Sequence, residues 1–290
     1  MEKHSAPATR AKWAKAIRAC ISKTDWGQKN KALIPERDEI DLVFWADLFK
    51  PPSLEAEEEV SKGLAADLRQ KFYDFLRGVV VFADKRATFG ADGRPKGLVG
   101  RLVNSRVTQT VFYMQNSRFL NAARGAKGGA YDLIQARLRC KLMPASGGAP
   151  PIVIGHSLGS VIAYEGLCYN KPAVDTFITI GSPMATPYLI VEPLRERFAR
   201  LIGRSTKLPL PFPDVRQWLS FYAPQDVWAV PVPSLRPLFA NPTRLQEIVV
   251  PHGDTLKPHH THKITAYLEA DNQIGNALAA ALAQRTARPA

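Results

Sequence analysis

Short apolar runs alternate along this chain with stretches in which apolar residues return every three or four positions. Trp13, Ile17 and Ile21 recur at helical spacing among lysines and arginines, which predicts a helix over 8–21 followed by a polar loop over 24–35. Residues 39–46 are rich in β-formers (Ile40, Val43, Phe44, Trp45) and predict a strand. Pro51 and Pro52 form a hard stop, and Ser53 can cap the next helix, with Glu57, Glu58 and Glu59 in or near its first turns. Val60, Leu64, Leu68, Phe72, Phe75 and Val79 carry that helical pattern to about residue 82. A glycine-rich basic loop spans 83–99. Residues 102–119 are apolar and fit a helix better than a strand. After a turn at 124–129, a helix over 131–142 sets Leu133, Ile134, Leu138 and Leu142 on one face.

The second half is more regular. Strands are predicted at 151–154, 173–180, 217–222 and 245–250, and helices at 158–167, 189–202 and 264–284. A loop at 144–151 and a proline-rich linker at 207–213 separate some of them, and no internal repeat is evident. Strands alternating with helical segments argue for an α/β protein, a mostly parallel sheet with helices on both faces. Active residues of such sheets gather on loops beyond the carboxyl ends of the strands.

The most informative stretch is Pro151-Ile152-Val153-Ile154-Gly155-His156-Ser157-Leu158-Gly159-Ser160, an apolar run that meets Gly-x-Ser-x-Gly and continues into a helical pattern. That is the arrangement of a nucleophile elbow, a sharp strand-to-helix turn that lifts a serine above the sheet. Strain at the serine calls for small neighbours two residues to either side, which Gly155 and Gly159 supply. The helix start aims free N–H groups at the reacting oxygen, with the Leu158 amide as one oxyanion donor. The stretch resembles the α/β-hydrolase superfamily, lipase and esterase branch, in which Gly-His-Ser-Leu-Gly is a frequent form of the elbow. His156, adjacent to the serine, is expected to point elsewhere and pack.

Composition narrows the class. The 290 residues suffice for a single α/β domain over 1–290, and 46% apolar content fits a globular chain. No apolar run reaches the ~18 residues of a membrane span, and residues 1–18 are polar and basic with no signal-peptide pattern. The three cysteines, Cys20, Cys140 and Cys168, show neither metal spacing nor a disulfide framework, which suggests a reducing, cytoplasmic setting. Cys168 is expected in the core. A formal net charge of +13 favours acidic partners, but the basic residues are spread along the chain and no nucleic-acid motif accompanies them. Weak peripheral contact with an anionic membrane is the secondary expectation, and no nucleic-acid partner is expected.

Partners of Ser157 are sought in the order Ser, Asp, His, each after a strand. Asp226 follows the 217–222 strand by a short loop, and Phe221-Tyr222-Ala223-Pro224-Gln225-Asp226 resembles the acid-bearing loop of bacterial lipase-like hydrolases. Asp254 is its rival; Asp175 and Asp214 lie at the wrong end of the sheet. His252, His259, His260 and His262 crowd the loop after the last strand, four of the six histidines. His262 is favoured because it immediately precedes the final helix and resembles the family's histidine shortly before a tyrosine-containing helix; His260 is the alternative base. A metal cluster of Asp254, His259, His260 and His262 fits no helix face, so neither metal nor cofactor is expected.

The resemblance implies a serine hydrolase acting on a small-molecule carboxylic ester, with Ser157 as nucleophile, His262 as base and Asp226 as its orienter. Segment 51–142 is too long for a simple crossover, and part of it is expected to form a helical cap over the site. Family members usually open with a strand ending in His-Gly-x-Gly, whose loop supplies a second oxyanion amide; no strand pattern precedes residues 8–21 here. Two expectations follow. Either an in-frame extension upstream of Met1 encodes that strand, or the chain is a degenerate member with a weakened oxyanion hole. In both cases residues 1–5, His4 among them, would lie beside Ser157. The competing functions are a non-catalytic binding protein of the same fold and an acyltransferase.

Overall fold

The computed structural model describes residues 5–45, 109–110, 113–114, 129–143, 149–226, 229, 234–251, 262–270 and 272–287. Four strands, β1 (Ile152–His156), β2 (Val174–Ile180), β3 (Val215–Tyr222) and β4 (Leu245–Val249), form a parallel sheet in the order β1-β2-β3-β4. Register is continuous across it: Val153 pairs with Phe177, Phe177 with Trp218 and Trp218 with Leu245. Each connection steps to the next strand in the same direction. Right-handed crossovers therefore put the connecting helices on one face.

That face is covered by α3 (Ala130–Leu142), α4 (Leu158–Asn170) and α5 (Glu192–Ile202). Ile134, Leu138, Val161, Tyr164, Leu194 and Phe198 pack there on the sheet residues Val153, Phe177 and Trp218. The opposite face, built from Ile154, Ile178, Leu219 and Phe221, is covered by α1 (Ala6–Ser22), α6 (Ile264–Ala270) and α7 (Gln273–Thr286). Period-two alternation along the strands thus divides one apolar set between two cores. All seven residues of β2 are buried, as expected for an inner strand of a parallel sheet. No helix among the described residues is long and apolar enough to cross a membrane.

Several elements differ from the pattern-based expectation. The 24–35 stretch is not all loop: it contains α2 (Asp25–Lys29) and a 3-10 turn over Lys31–Leu33. Thr24 caps α2, its Oγ1 accepting from the Gly27 amide at 3.0 Å. Residues 39–45 form no strand. Their carbonyls are engaged by side chains instead: Arg10 Nε donates to Ile40 O at 2.8 Å and Arg137 Nη1 to Phe44 O at 2.6 Å. Ile40 packs on one core and Val43 and Trp45 on the other, so the segment crosses between layers. The 189–202 helix begins as a π-helical turn, Pro187–Val191, in which Val191 N donates to Thr186 O at 3.1 Å. The C-terminal helix is two, α6 ending at Ala270 and α7 starting at Gln273 with Asn272 as its N-cap. Helix α7 seats Gly275 against α1, where a Cβ would lie 2.6 Å from the Cys20 carbonyl.

Gln109–Thr110 and Tyr113–Met114 are helical, as expected within 102–119. The helix expected to end near 82, the loop over 83–99 and the turn at 124–128 lie outside the described residues. The helix α3, inside the stretch expected to contain a cap, packs on α4 in the core.

Candidate active site

Ser157 follows β1 and is the N-cap of α4, with φ 54° and ψ −134°, a conformation that costs an L-residue about 1–3 kcal/mol. Surrounding hydrogen bonds hold it there. Its amide donates to Ile180 O at 3.0 Å, tying the turn to β2, and its carbonyl accepts from the Ser160 amide at 2.9 Å and the Ser160 hydroxyl at 2.6 Å. The Ser182 hydroxyl lies 2.6 Å from that of Ser160 and accepts from the Met184 amide at 3.2 Å.

The two glycines of the pentad are not equivalent. A Cβ on Gly155 would lie 2.5 Å from Ser160 Cα and 2.9 Å from Ser160 N, so strand and helix cross there only because that side chain is absent. A Cβ on Gly159 would meet no described atom within 4 Å beyond its own helix. The expectation that both glycines are needed for space is therefore corrected: among the described residues the close approach occurs on the strand side.

The sheet topology brings Asp226 and His262 to the same carboxyl edge. Asp226 follows β3 and is fully buried; His262 lies two residues before the start of α6 and is 8% exposed. His262 Nδ1 lies 2.8 and 3.0 Å from the two Asp226 oxygens, and its Nε2 lies 2.8 Å from Ser157 Oγ. A carboxylate can only accept, so Nδ1 carries the proton, and Nε2 is left to accept from the Ser157 hydroxyl. Ser157, His262 and Asp226, singled out from separate parts of the sequence, are thus joined in one hydrogen-bonded line.

Two further residues adjoin the acid, and sequence reasoning had not assigned them there. Tyr267, on α6, donates its hydroxyl to Asp226 Oδ2 at 2.7 Å and accepts from the Ala223 amide at 3.1 Å. Burial, with the Asp226 carboxylate beside it, pushes this phenol well above its usual range, so it stays a donor. Gly181, at φ +55°, follows β2, and a Cβ there would lie 3.0 Å from Asp226 Oδ2. The tyrosine was visible in the sequence as part of the helix after His262, and Gly181 only as a strand terminator.

Leu158 is the first residue of α4, where an N–H has no intrahelical acceptor. His156 packs as expected but does not point away from the site: its ring meets Trp13 edge-on and lies 5.0 Å from the His262 ring. Asp175 bonds Arg216 at 2.7 Å, and Asp214 is exposed, 3.7 Å from Arg244; both lie at the amino ends of strands, remote from Ser157. His4, His252, Asp254, His259 and the alternative base His260 lie outside the described residues. Among the described residues, no group of three His, Cys, Asp or Glu side chains could hold a metal ion.

A strand–elbow–helix turn at the carboxyl edge of a parallel sheet, with an acid and a histidine delivered by later strands in that order, defines a hydrolase-type α/β protein. The family model described as "Alpha/beta hydrolase family" matches residues 68–289, more than half of the chain. The chain belongs to the alpha/beta hydrolase family. No curated protein and no solved structure matches it significantly.

Proposed function

We propose that the protein is a serine hydrolase that cleaves a carboxylic ester through an acyl-enzyme. The observation that carries this reading is the hydrogen-bonded line from Ser157 through His262 to Asp226. In the first half-reaction Ser157 Oγ attacks the ester carbonyl carbon while its proton passes to His262 Nε2. The oxyanion forms beside the Leu158 amide at the positive end of α4. Collapse of the intermediate breaks the carbonyl–alkoxy bond, and the departing alcohol takes the proton from His262. Water then attacks the acyl group on Ser157, giving one proton to His262, and the acid leaves as Ser157 regains its hydrogen. Asp226 remains a carboxylate throughout, fixing the imidazole tautomer and stabilising the imidazolium. No step calls for a metal or cofactor.

The test is turnover of a short-chain p-nitrophenyl ester by the wild type and by Ser157→Ala, His262→Ala and Asp226→Asn, with folding checked by circular dichroism. Ser157→Ala is expected to lower kcat by a factor on the order of 10⁴ or more, His262→Ala to be the most damaging histidine change, and Asp226→Asn to follow it. A folded Ser157→Ala protein as active as the wild type would exclude the serine mechanism.

A further inference from the structure

His156 is the last residue of β1 and is covalently adjacent to Ser157. Its ring lies on the side of the elbow away from α4. Trp13 of α1 meets it edge-on, with centroids 5.8 Å apart and an interplanar angle of 76°, and the His262 ring lies 5.0 Å away, tilted by 35°. His156 Nε2 is 2.8 Å from the backbone carbonyl oxygen of His262. A carbonyl can only accept, so this nitrogen carries the proton and donates.

Ser157 and His262 are therefore linked twice. One link is the reacting contact, Ser157 Oγ to His262 Nε2 at 2.8 Å. The other runs from the Ser157 backbone through His156 to the His262 backbone, closing a ring of covalent bonds and two hydrogen bonds. The two links have different fates in an acyl-enzyme cycle. Once Ser157 Oγ carries the acyl group it has no hydrogen to give His262, and the first link is broken. The second link is untouched, because it uses main-chain and His156 atoms only.

We infer that His156 is a positioning residue that keeps His262 in register with Ser157 while the acyl group is on the serine, and so acts chiefly on deacylation. The inference rests on the serine-hydrolase reading above. Asp226 fixes the imidazole at Nδ1, but Asp226 arrives from the loop after β3 and leaves the His262 backbone to be anchored separately. The His156 donor supplies that anchor from the strand that carries the nucleophile.

The test uses three substitutions. His156→Phe keeps a ring against Trp13 but removes the donor. His156→Gln removes the ring but places an amide N–H as many bonds from the backbone as Nε2. His156→Met, similar to Gln in length and lacking the donor, serves if the Phe variant does not fold. Each is assayed with a p-nitrophenyl ester by steady-state and rapid-mixing kinetics, with active sites counted by a fluorophosphonate. The donorless variants are expected to lose about 10- to 100-fold in kcat, the scale of a small misplacement of a catalytic group. Their kcat/KM should fall less than about threefold, because acylation still has the Ser157–His262 contact. A p-nitrophenol burst equal to the active-site concentration should appear, and Gln should restore kcat to within about threefold of wild type.

A donorless variant with wild-type kcat overturns the inference, as does an equal loss in Gln and Met. So does a loss of kcat/KM as large as that of kcat, or a loss explained wholly by fewer active sites. An inactive wild type would overturn the hydrolase reading itself and this inference with it. An active wild type with indifferent His156 variants overturns the inference alone.

Discussion

Replacing Gly155 by alanine should damage the elbow, whereas the same change at Gly159 should stabilise the chain. A Cβ on Gly155 would sit 2.5 Å from Ser160 Cα, 2.9 Å from Ser160 N and 3.0 Å from Gly159 O. Ordinary carbon contacts lie at about 3.5–4.0 Å, so the overlap with Ser160 Cα is about 1 Å. All three atoms are backbone in the first turn of α4, and none can swing aside as a side-chain tip would. Overpacking of this kind costs about 1–3 kcal/mol, and with only backbone to yield the upper end is expected. If α4 shifts to relieve the clash, Ser157 shifts with it, and a displacement of about 1 Å at a reacting group can cost ~10²-fold in rate. At Gly159 there is open space among the described residues, and a helical Gly→Ala exchange is worth about 1 kcal/mol. Urea midpoints with unchanged slopes would measure both effects. Gly155→Ala should unfold at a lower urea concentration than wild type and Gly159→Ala at an equal or higher one. A Gly155→Ala protein as stable as the wild type, or a Gly159→Ala protein less stable than Gly155→Ala, would refute the steric reasoning.

Tyr267→Phe removes the 2.7 Å hydrogen bond to Asp226; hydrogen bonds to charged groups are worth about 1.5–3 kcal/mol, so kcat is expected to fall about 10- to 100-fold, and an unchanged kcat would make the tyrosine a spectator. The buried Arg197 holds the fully buried Glu165 through Nη1 at 2.8 and 2.9 Å, and burial raises that carboxyl while the guanidinium opposes the rise. Arg197→Met alone should cost about 3–5 kcal/mol in urea denaturation, and adding Glu165→Leu should recover most of it; a single-variant loss below about 1 kcal/mol would contradict this. Burial pushes the Cys20 thiol up to about 11 and Cys168 up to about 12. A raised thiol pKa keeps the proton on at pH 8, so an alkylating reagent should label exposed Cys140 in the native protein and all three cysteines after unfolding, which peptide mass spectrometry would read.

The parts of the fold written in local periodicity were legible in the sequence. The strands around residues 152–156, 174–180, 215–222 and 245–249 are short runs rich in β-formers, the most fully buried being β2 with all seven residues inside, and the helices between them follow the 3.6-residue repeat. The elbow was legible because its glycine, its serine and the strand-to-helix switch lie within one short stretch. Asp226 and His262 could be singled out only because chain order and strand ends restrict where such partners stand. What escaped was set by tertiary context. Residues 39–45 have strand composition but give their carbonyls to Arg10 and Arg137, from elements far away in sequence. Gly181 matters because Asp226 and Tyr267 approach it from later elements. The His156 contact spans 106 positions to a backbone atom, which has no side-chain signature of its own.

The central claim, that Ser157 is a nucleophile activated by His262, is tested most directly by fluorophosphonate labelling of the folded protein followed by intact-mass and peptide analysis. One adduct per chain is predicted, on Ser157, with labelling abolished in Ser157→Ala and strongly slowed in His262→Ala. A folded wild type that takes no label, or one labelled at a residue other than Ser157, would contradict the claim.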